Sequence, residues 1–292
     1  MTRPDIQHVD MRLDDADKKF AESIHQTGFA VLKNHPIDTQ LLSRINDEWR
    51  DFFASDDKFN YQFPRRPDGD QHGYFSLDVS ERAVGQEEKD IKEFFHAAPG
   101  SPMPDHLESD IIHYRQSALA LARNLLDWLQ AALPEACLFD EQVRLANTLR
   151  DEPSVLRILH YPPLKGTEPA GSVRAAAHED INIITILPVA LEPGLQVQTK
   201  EGDWLDLHGE TGEIIINTGD MLQEMTGGFL PSTTHQVVNP AGSAGNISRI
   251  SMPFFLAPEL SLRLSERYTA GEYLSERLAE IDGQRDTGAP AS

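Results

Sequence analysis

Residues 175–187 read AAAHEDINIITIL and place a histidine and an aspartate at the start of an apolar, β-branched run. Because successive side chains of a strand point to opposite faces, His178 and Asp180 share a face while Glu179 points away. An imidazole and a carboxylate suit a divalent transition metal, but two ligands hold a metal weakly. The stretch therefore predicts a metal site whose third ligand comes from elsewhere in the chain.

The best candidate for the third ligand is His235. The chain has 11 histidines, and most of them lie in helical or irregular sequence, where a histidine usually has no metal-binding role. His235 instead lies in PSTTHQVV, a strand-like segment 57 residues after His178. With His178 and Asp180 it completes a two-histidine, one-carboxylate set that suits Fe(II) and oxygen activation. Zinc accepts the same ligands together with water, so a zinc hydrolase stays open at this point.

A second pair of residues distinguishes an Fe(II) site for oxygen activation from the site of a zinc hydrolase. Arg249 and Ser251 lie two residues apart in SRISMPFF and therefore share a strand face. A guanidinium fork beside a hydroxyl fits a carboxylate. An oxygenase that holds a dicarboxylate co-substrate needs such a pair, and a zinc hydrolase has no general need of it. The plain alternative is an arginine paired with a structural carboxylate.

The surrounding pattern predicts helices first and a β structure afterwards. Apolar residues at helical spacing predict helices over 14–27, 38–54, 107–133 and 140–149, with a strand at 29–32 and irregular structure over 58–100. From residue 155 onward, the short β-rich runs predict a sandwich or barrel. These runs are VLRILHY, INIITIL, LQVQ, WLDL, EIIIN, TTHQVV and SRISMPFF. A last helix is predicted over 270–281.

Composition limits the binding partners and the compartment. A formal net charge of −21 argues against binding nucleic acid or an anionic membrane, because both require clustered cations. The single cysteine, Cys137, excludes an internal disulfide and favours a reducing compartment. The first residues lack an apolar leader, and no stretch reaches the length of a membrane span. The chain is expected to be cytoplasmic, with a small-molecule substrate.

Taken together, these motifs resemble a known family. HEDINIITIL, INTGDML, the STTH that ends at His235, and RIS at residues 249–251 resemble the isopenicillin N synthase-like group of Fe(II)/2-oxoglutarate-dependent oxygenases. The family pattern is H-x-D, a distal H and R-x-S, in that order. GFAVLKNHPI, GYFSL and KEFFHAAP extend the resemblance upstream, so that it covers nearly the whole chain.

The resemblance implies a mainly β fold with N-terminal helices, built on a double-stranded β-helix (jelly-roll) core flanked by α-helices. It implies one oxygenase domain over 1–292. Within it, 1–150 form a helical and irregular N-terminal part, 151–260 the jelly-roll core with the metal site, and 261–292 a C-terminal helix and tail. It also implies that His178, Asp180 and His235 bind Fe(II).

The resemblance further implies that Arg249 and Ser251 hold the far carboxylate of 2-oxoglutarate. Many members carry an Asn-x-Tyr pair on the strand before the metal strand. In RILHYPP the tyrosine is Tyr161, which is expected to hydrogen-bond the co-substrate. Leu159 stands where the asparagine would be, which changes that side of the pocket.

The implied activity is a non-haem dioxygenase that uses Fe(II), 2-oxoglutarate and O2 to hydroxylate or desaturate a small molecule, with succinate and CO2 as co-products. Two alternatives stay open. One is an Fe(II) oxidase of the same fold that does not use 2-oxoglutarate, like isopenicillin N synthase or ACC oxidase. The other is a non-catalytic metal-binding jelly-roll protein.

Substrate contacts are expected from the stretch 64–74 and from Phe254 or Phe255. Arg174, just before the metal strand, is either a contact for an anionic group of the substrate or a solvated surface residue. The surface position is the prediction, because arginine is seldom buried.

Overall fold

A helical layer covers one sheet of a β-sandwich. The computed structural model describes residues 6–62, 72–79, 90–98, 100–168, 172–240 and 246–286. The α-helices in this part of the chain are α1 Ala16–Thr27, α2 Thr39–Ala54, α3 Asp105–Ala132, α4 Asp220–Met225 and α5 Ala270–Asp286. The strands are β1 His8–Asp10, β2 Phe29–Lys33, β3 Gly73–Phe75, β4 Glu93–Ala97, β5 Leu149–Tyr161, β6 Ala175–His178, β7 Ile184–Pro188, β8 Leu195–Gln198, β9 Trp204–Asp206, β10 Ile214–Thr218, β11 His235–Val237, β12 Arg249–Ser251 and β13 Phe254–Pro258.

The strands form two sheets. The larger sheet has the order β1-β2-β10-β7-β13-β5-β4-β3, and β12 also pairs with β5. The smaller sheet has the order β6-β11-β8-β9. Only β1 and β2 pair in parallel among the described strands, and the other pairs are antiparallel. The mainly β fold with N-terminal helices and a jelly-roll core is confirmed.

Two apolar clusters hold these layers together. The larger cluster joins α1, α2 and α3 to the outer face of the larger sheet, with Trp49, Tyr114 and Phe254 among its fully buried side chains. The smaller cluster contains residues from both sheets, including Phe29, Val197 and Leu159, and so fills the space between them. Burial of this apolar surface is the main favourable term in folding.

The predicted helices over 14–27, 38–54 and 107–133 are confirmed as α1, α2 and α3. Asp38 caps α2, because its carboxylate accepts a hydrogen bond from the Gln40 backbone N–H at 2.9 Å. The C-terminal helix is longer than predicted, ending at Asp286. The predicted helix over 140–149 is wrong, since only Leu145–Asn147 form a 3-10 turn. There the Gln130 side chain of α3 bonds the Val143 carbonyl and the Leu145 N–H, which replaces helical hydrogen bonds.

The stretch 175–187 divides into two strands of different sheets. It ends β6 at His178 and begins β7 at Ile184, and residues 179–183 cross between the sheets. The predicted position of Asp180 on a strand is therefore wrong, because it lies in the crossing turn. The turn is fixed by backbone hydrogen bonds from Asp220 N–H to the Asp180 carbonyl and from Met221 N–H to the Asn182 carbonyl.

The N-terminal part also contributes strands that the pattern did not predict. β1, β3 and β4 join β2 in the larger sheet, and all five residues of β4 are buried. No helix in the described ranges is long and apolar enough to cross a membrane.

Gly28 links α1 to the segment before β11 and yields a test of the packing. It ends α1 with a φ of 72°, and a Cβ there would lie 2.5 Å from Thr233 Oγ1 and 2.6 Å from the Pro231 carbonyl oxygen. We expect Gly28→Ala to lower the free energy of unfolding by about 2–4 kcal/mol, because backbone strain and overpacking add.

The control is Gly227→Ala. Gly227 has a φ of 56°, but no described atom lies within 4 Å of the position that a Cβ would take there. It should cost only about 1 kcal/mol, the strain alone. Urea unfolding of both variants measures the difference, and equal losses would contradict the close packing at Gly28.

Candidate active site

Three potential metal ligands converge at one end of the sandwich. His178 ends β6, and His235, which begins β11, is its cross-strand partner. Asp180 Oδ1 lies 3.9 Å from His178 Nε2 and 3.7 Å from His235 Nε2. The three ligand atoms all lie within 4.8 Å of one another, which is a spacing that one metal ion can bridge.

Backbone carbonyls orient the two imidazoles. Nδ1 of His178 lies 2.7 Å from the Ala176 carbonyl oxygen, and Nδ1 of His235 lies 3.1 Å from that of Thr233. A carbonyl only accepts hydrogen bonds, so each Nδ1 carries the proton and each Nε2 presents its lone pair to the centre of the triad.

Hydrogen bonds also orient the Asp180 carboxylate. Its Oδ2 accepts from Thr185 Oγ1 at 2.6 Å and from Asn217 Nδ2 at 2.8 Å. Asn182 Nδ2 in turn donates to Thr185 Oγ1 at 2.8 Å, which directs the hydroxyl proton towards Asp180. Oδ1 is thereby left facing the two histidines.

The protonation states suit metal binding. Burial would raise the pKa of Asp180, but the two histidines and the bonds from Thr185 and Asn217 outweigh it and lower that pKa. Burial, followed by repulsion from His235, lowers the pKa of His178, although 41% of its side chain is exposed. A carboxylate and a neutral imidazole are the forms that ligate a metal, and these shifts favour both forms at Asp180 and His178. The donor set therefore fits a divalent transition metal with open coordination positions.

The sequence analysis did not identify Thr185 and Asn217 as functional residues. Both are polar and nearly fully buried, with exposures of 1% and 2%. They are also cross-strand partners on β7 and β10. The available signal was a polar residue within each apolar run, INIITIL and EIIIN, but only the register of the sheet shows that both reach one carboxylate.

Arg249 and Ser251 lie inside the sandwich beside Tyr161. The register pairs Arg249 with Tyr161 and Ser251 with Leu159, and all four side chains are at most 6% exposed. Leu159 therefore places methyl groups opposite Ser251, where an asparagine would place an amide.

The Arg249 guanidinium is buried without a carboxylate partner among the described residues. Its Nε donates to the Glu192 backbone carbonyl at 3.1 Å, and its Nη1 has no hydrogen-bond partner in the described ranges. The side chain lines a cavity of about 200 Å³ together with Leu195, Leu207 and Ile215. Glu192 also lines this cavity, but its carboxylate pairs with Arg50 rather than with Arg249. A buried cation is costly unless an anion compensates it, so this cavity suits a carboxylate ligand.

Comparison with known proteins agrees with this arrangement. Residues 152–258 match the model of the 2OG-Fe(II) oxygenase superfamily, and residues 5–117 match that of the non-haem dioxygenase N-terminal region. A crystal structure from Shewanella oneidensis, described as an oxygenase, is 46% identical to the chain. It superposes with a TM-score of 0.83, over 95% of this chain and 98% of that one.

The chain belongs to the 2OG-Fe(II) oxygenase superfamily. It is an oxidoreductase of that class, with Fe(II) as cofactor and 2-oxoglutarate and O2 as co-substrates. Gibberellin 2-beta-dioxygenase 3 of Arabidopsis thaliana is 24% identical over 273 residues, which cover 89% of this chain and 77% of that protein. A Neurospora crassa protein, solved at full length in complex with alpha-KG, is 24% identical and shares the fold with a TM-score of 0.75, over 94% of this chain and 96% of that one.

The triad of this oxygenase opens into a larger cavity of about 690 Å³. His178 and Asp180 lie in its wall, and residues of β5, β13 and α5 contribute other parts of the wall. Phe255 lines the cavity, as expected, whereas Phe254 is fully buried in the core. Most of the expected stretch 64–74 lies outside the described residues.

Charged side chains line part of this cavity. Lys92 Nζ and Asp90 Oδ2 form a buried ion pair at 2.7 Å, and Asp90 Oδ1 accepts from the Ala176 N–H at 3.0 Å. On the neighbouring strands, Arg157 Nε donates to His96 Nε2 at 2.7 Å. The cavity thus combines apolar walls with a few positioned polar groups, as ligand sites usually do.

Asp220 connects α5 to the metal-binding turn. Its Oδ2 accepts from Tyr273 Oη at 3.2 Å and lies 3.5 Å from Arg277 Nε. Its N–H donates to the Asp180 carbonyl at 2.8 Å. One buried residue, Asp220, therefore contacts both the α5 part of the cavity wall and the turn that contains Asp180.

The surface position predicted for Arg174 is wrong. Its side chain is 1% exposed, because it lies under the segment before β12 and beside the ring of Tyr161. It does not line either of the two cavities described above.

The hydrogen bonds from Thr185 and Asn217 to Asp180, called the Asp180 clamp below, provide a test of metal binding. We expect Thr185→Val to raise the dissociation constant for Fe(II) about 10-fold, because a residue that orients a metal ligand typically contributes that much to affinity. Thr148→Val is the matched control, since Thr148 is also buried and its hydroxyl bonds the Leu145 carbonyl at 2.7 Å. Anaerobic titration calorimetry should show the loss only in the first variant. Equal affinities in both would exclude a role for the clamp.

Proposed function

We propose that this oxygenase hydroxylates or desaturates a small molecule in the 690 Å³ cavity and converts 2-oxoglutarate to succinate and CO2. The observation that carries the proposal is the buried guanidinium of Arg249, which lines a cavity of about 200 Å³ and whose Nη1 has no hydrogen-bond partner among the described residues. In hydroxylation one oxygen atom of O2 enters the product and the other enters succinate. In desaturation the first of these oxygen atoms instead leaves as water together with the two hydrogen atoms removed from the substrate, so atoms and electrons balance in both reactions.

Different residues would bind the metal and the co-substrate. His178, Asp180 and His235 would hold Fe(II), which when bound supplies the redox chemistry with O2. Arg249 and Ser251 would bind the far carboxylate of 2-oxoglutarate, since a guanidinium and a hydroxyl together satisfy carboxylate oxygens. Tyr161, opposite Arg249 in the register, would complete this side of the pocket.

The cavity walls would hold and shield the substrate. Phe255 on β13 and Leu274 and Leu278 on α5 supply apolar surface, and His178 is the ligand most exposed towards solvent. A substrate bound against these side chains would displace water from the triad and place a C–H bond beside it. This positioning is the chain's main contribution to the rate.

If the chain were instead an oxidase of the same fold that does not use 2-oxoglutarate, a different visible spectrum would be expected. We would add Fe(II) to the protein without oxygen, then 2-oxoglutarate, and record the visible spectrum. The weak band of an iron-bound 2-oxo acid supports the proposal. Iron binding without this band would favour the oxidase, and failure to bind iron would favour a non-catalytic jelly-roll protein.

Asp180→Ala should abolish turnover and lower Fe(II) affinity at least about 100-fold, because it removes one of three ligands. The thermal midpoint without metal should change little. Glu179→Ala is the control, since that carboxylate bonds Thr234 Oγ1 at 2.8 Å and should leave the metal affinity intact. Retention of turnover by Asp180→Ala would refute the ligand assignment.

Arg249→Ala should raise the KM for 2-oxoglutarate about 100-fold while Fe(II) affinity stays unchanged, because loss of a buried charge partner typically costs a few kcal/mol. Arg144→Ala removes a surface arginine paired with Asp127 and controls for net charge. Succinate release at varied 2-oxoglutarate concentrations measures the effect. An unchanged KM in Arg249→Ala would show that the co-substrate binds elsewhere.

A further inference from the structure

Arg174 is a buried cation that the triad and Arg249 do not account for. It lies four residues before His178 and is 1% exposed. Its Nη2 donates to the Ile247 carbonyl at 2.8 Å, and its Nε has no hydrogen-bond partner among the residues that the structure describes. It also forms no ion pair with a carboxylate in the described part of the chain. Burying such a charge is costly, and one hydrogen bond to a backbone carbonyl does not compensate this cost.

Arg174 and Arg249 share one aromatic ring. Their guanidinium carbons lie 5.9 Å and 5.3 Å from the centroid of the Tyr161 ring. The ring face attracts cations and stabilises both to a limited extent. Burial, and then repulsion from Arg249, lower the pKa of Arg174. The two arginines therefore place two positive charges around Tyr161, and Arg249 alone of the two lines the cavity proposed for the co-substrate carboxylate.

One nearby carboxylate, that of Glu192, attracts both arginines and so offsets only part of their positive charge. Glu192 Oε1 lies 3.3 Å from Arg50 Nη2, and its Oε2 has no hydrogen-bond partner among the described atoms. Three guanidiniums and one carboxylate are thus connected by contacts, namely those of Arg50, Arg174, Arg249 and Glu192. An incoming carboxylate would reduce the remaining positive charge, and a neutral group would not.

We propose that Arg174 is a specificity-determining residue whose charge, added to that of Arg249, makes the pocket select a 2-oxo acid with a second carboxylate over one without it. This inference rests on the proposed role of Arg249 in holding 2-oxoglutarate. Arg174 acts through the electrostatic potential at the pocket and does not need to touch the ligand, because charges interact strongly over several ångströms in a buried site.

A purely structural role predicts something different. Arg174 anchors the Ile247 carbonyl, two residues before Arg249, so its loss could simply displace Arg249. Asn246 anchors the same segment without charge, through hydrogen bonds of 2.6 and 2.7 Å to the backbone of Leu164. Asn246→Ala therefore reproduces a loosened segment and leaves the charge unchanged.

The test compares two ligands of equal chain length. Anaerobic calorimetry with Fe(II)-loaded protein would measure affinities for 2-oxoglutarate and for 2-oxopentanoate, which has a methyl group in place of the far carboxylate. Arg174→Gln keeps a donor for the Ile247 carbonyl but removes the charge. We expect it to weaken 2-oxoglutarate binding about 10-fold and to change 2-oxopentanoate binding less than about 2-fold. Arg174→Lys, which keeps the charge, should restore most of the preference.

Three results would overturn the inference. They are equal weakening of both ligands in Arg174→Gln, the same loss of selectivity in Asn246→Ala, or wild-type selectivity in Arg174→Gln. Thermal unfolding of each variant without ligand identifies a folding defect. If Arg174→Gln has such a defect, the ligand preference of Arg174→Lys, compared with that of wild type, decides instead. Failure of the proposed function is separate, because wild type itself would then fail to prefer 2-oxoglutarate and Arg249→Ala would have no effect.

Discussion

The hydrogen bonds that hold one oxygen of Asp180 connect the metal site to the architecture of the whole sandwich. The donors, Thr185 and Asn217, are neighbours across β7 and β10 of the larger sheet, whereas the two histidines come from β6 and β11 of the smaller sheet. The site therefore spans both sheets. Its ligand distances depend on the separation of the sheets, which the apolar cluster between them fixes.

Charge is distributed unevenly between the surface and the interior of this protein. The chain carries a formal net charge of −21, yet two of its nearly fully buried side chains are the arginines at positions 174 and 249. An acidic surface does not attract a dicarboxylate. Affinity for such a ligand must therefore come from short-range contacts inside the sandwich, where low polarizability strengthens each interaction.

Local sequence patterns predicted the elements better than the contacts between them. The three long N-terminal helices followed from apolar spacing. Residue types on β segments singled out His178, Asp180 and His235, which the fold brings together. The strands β3 and β4 were missed because short buried strands lack a distinctive period. The burial of Arg174 could not be predicted either, because it depends on where the segment before β12 lies. The pairing of Thr185 with Asn217 required the register of two strands that are about 30 residues apart in sequence.

The division of the active site between elements has a consequence for divergence. The candidate metal ligands belong to β6, β11 and the turn between the sheets, while much of the rest of the cavity wall belongs to β5, β13 and the C-terminal helix α5. Wall positions such as Leu274, Leu278 and Phe255 carry apolar side chains that cannot hydrogen-bond the ligands. Substitutions there can accumulate and alter which molecules fit, with the redox centre inherited unchanged. A lineage built on this plan can acquire new substrates without rebuilding its chemistry.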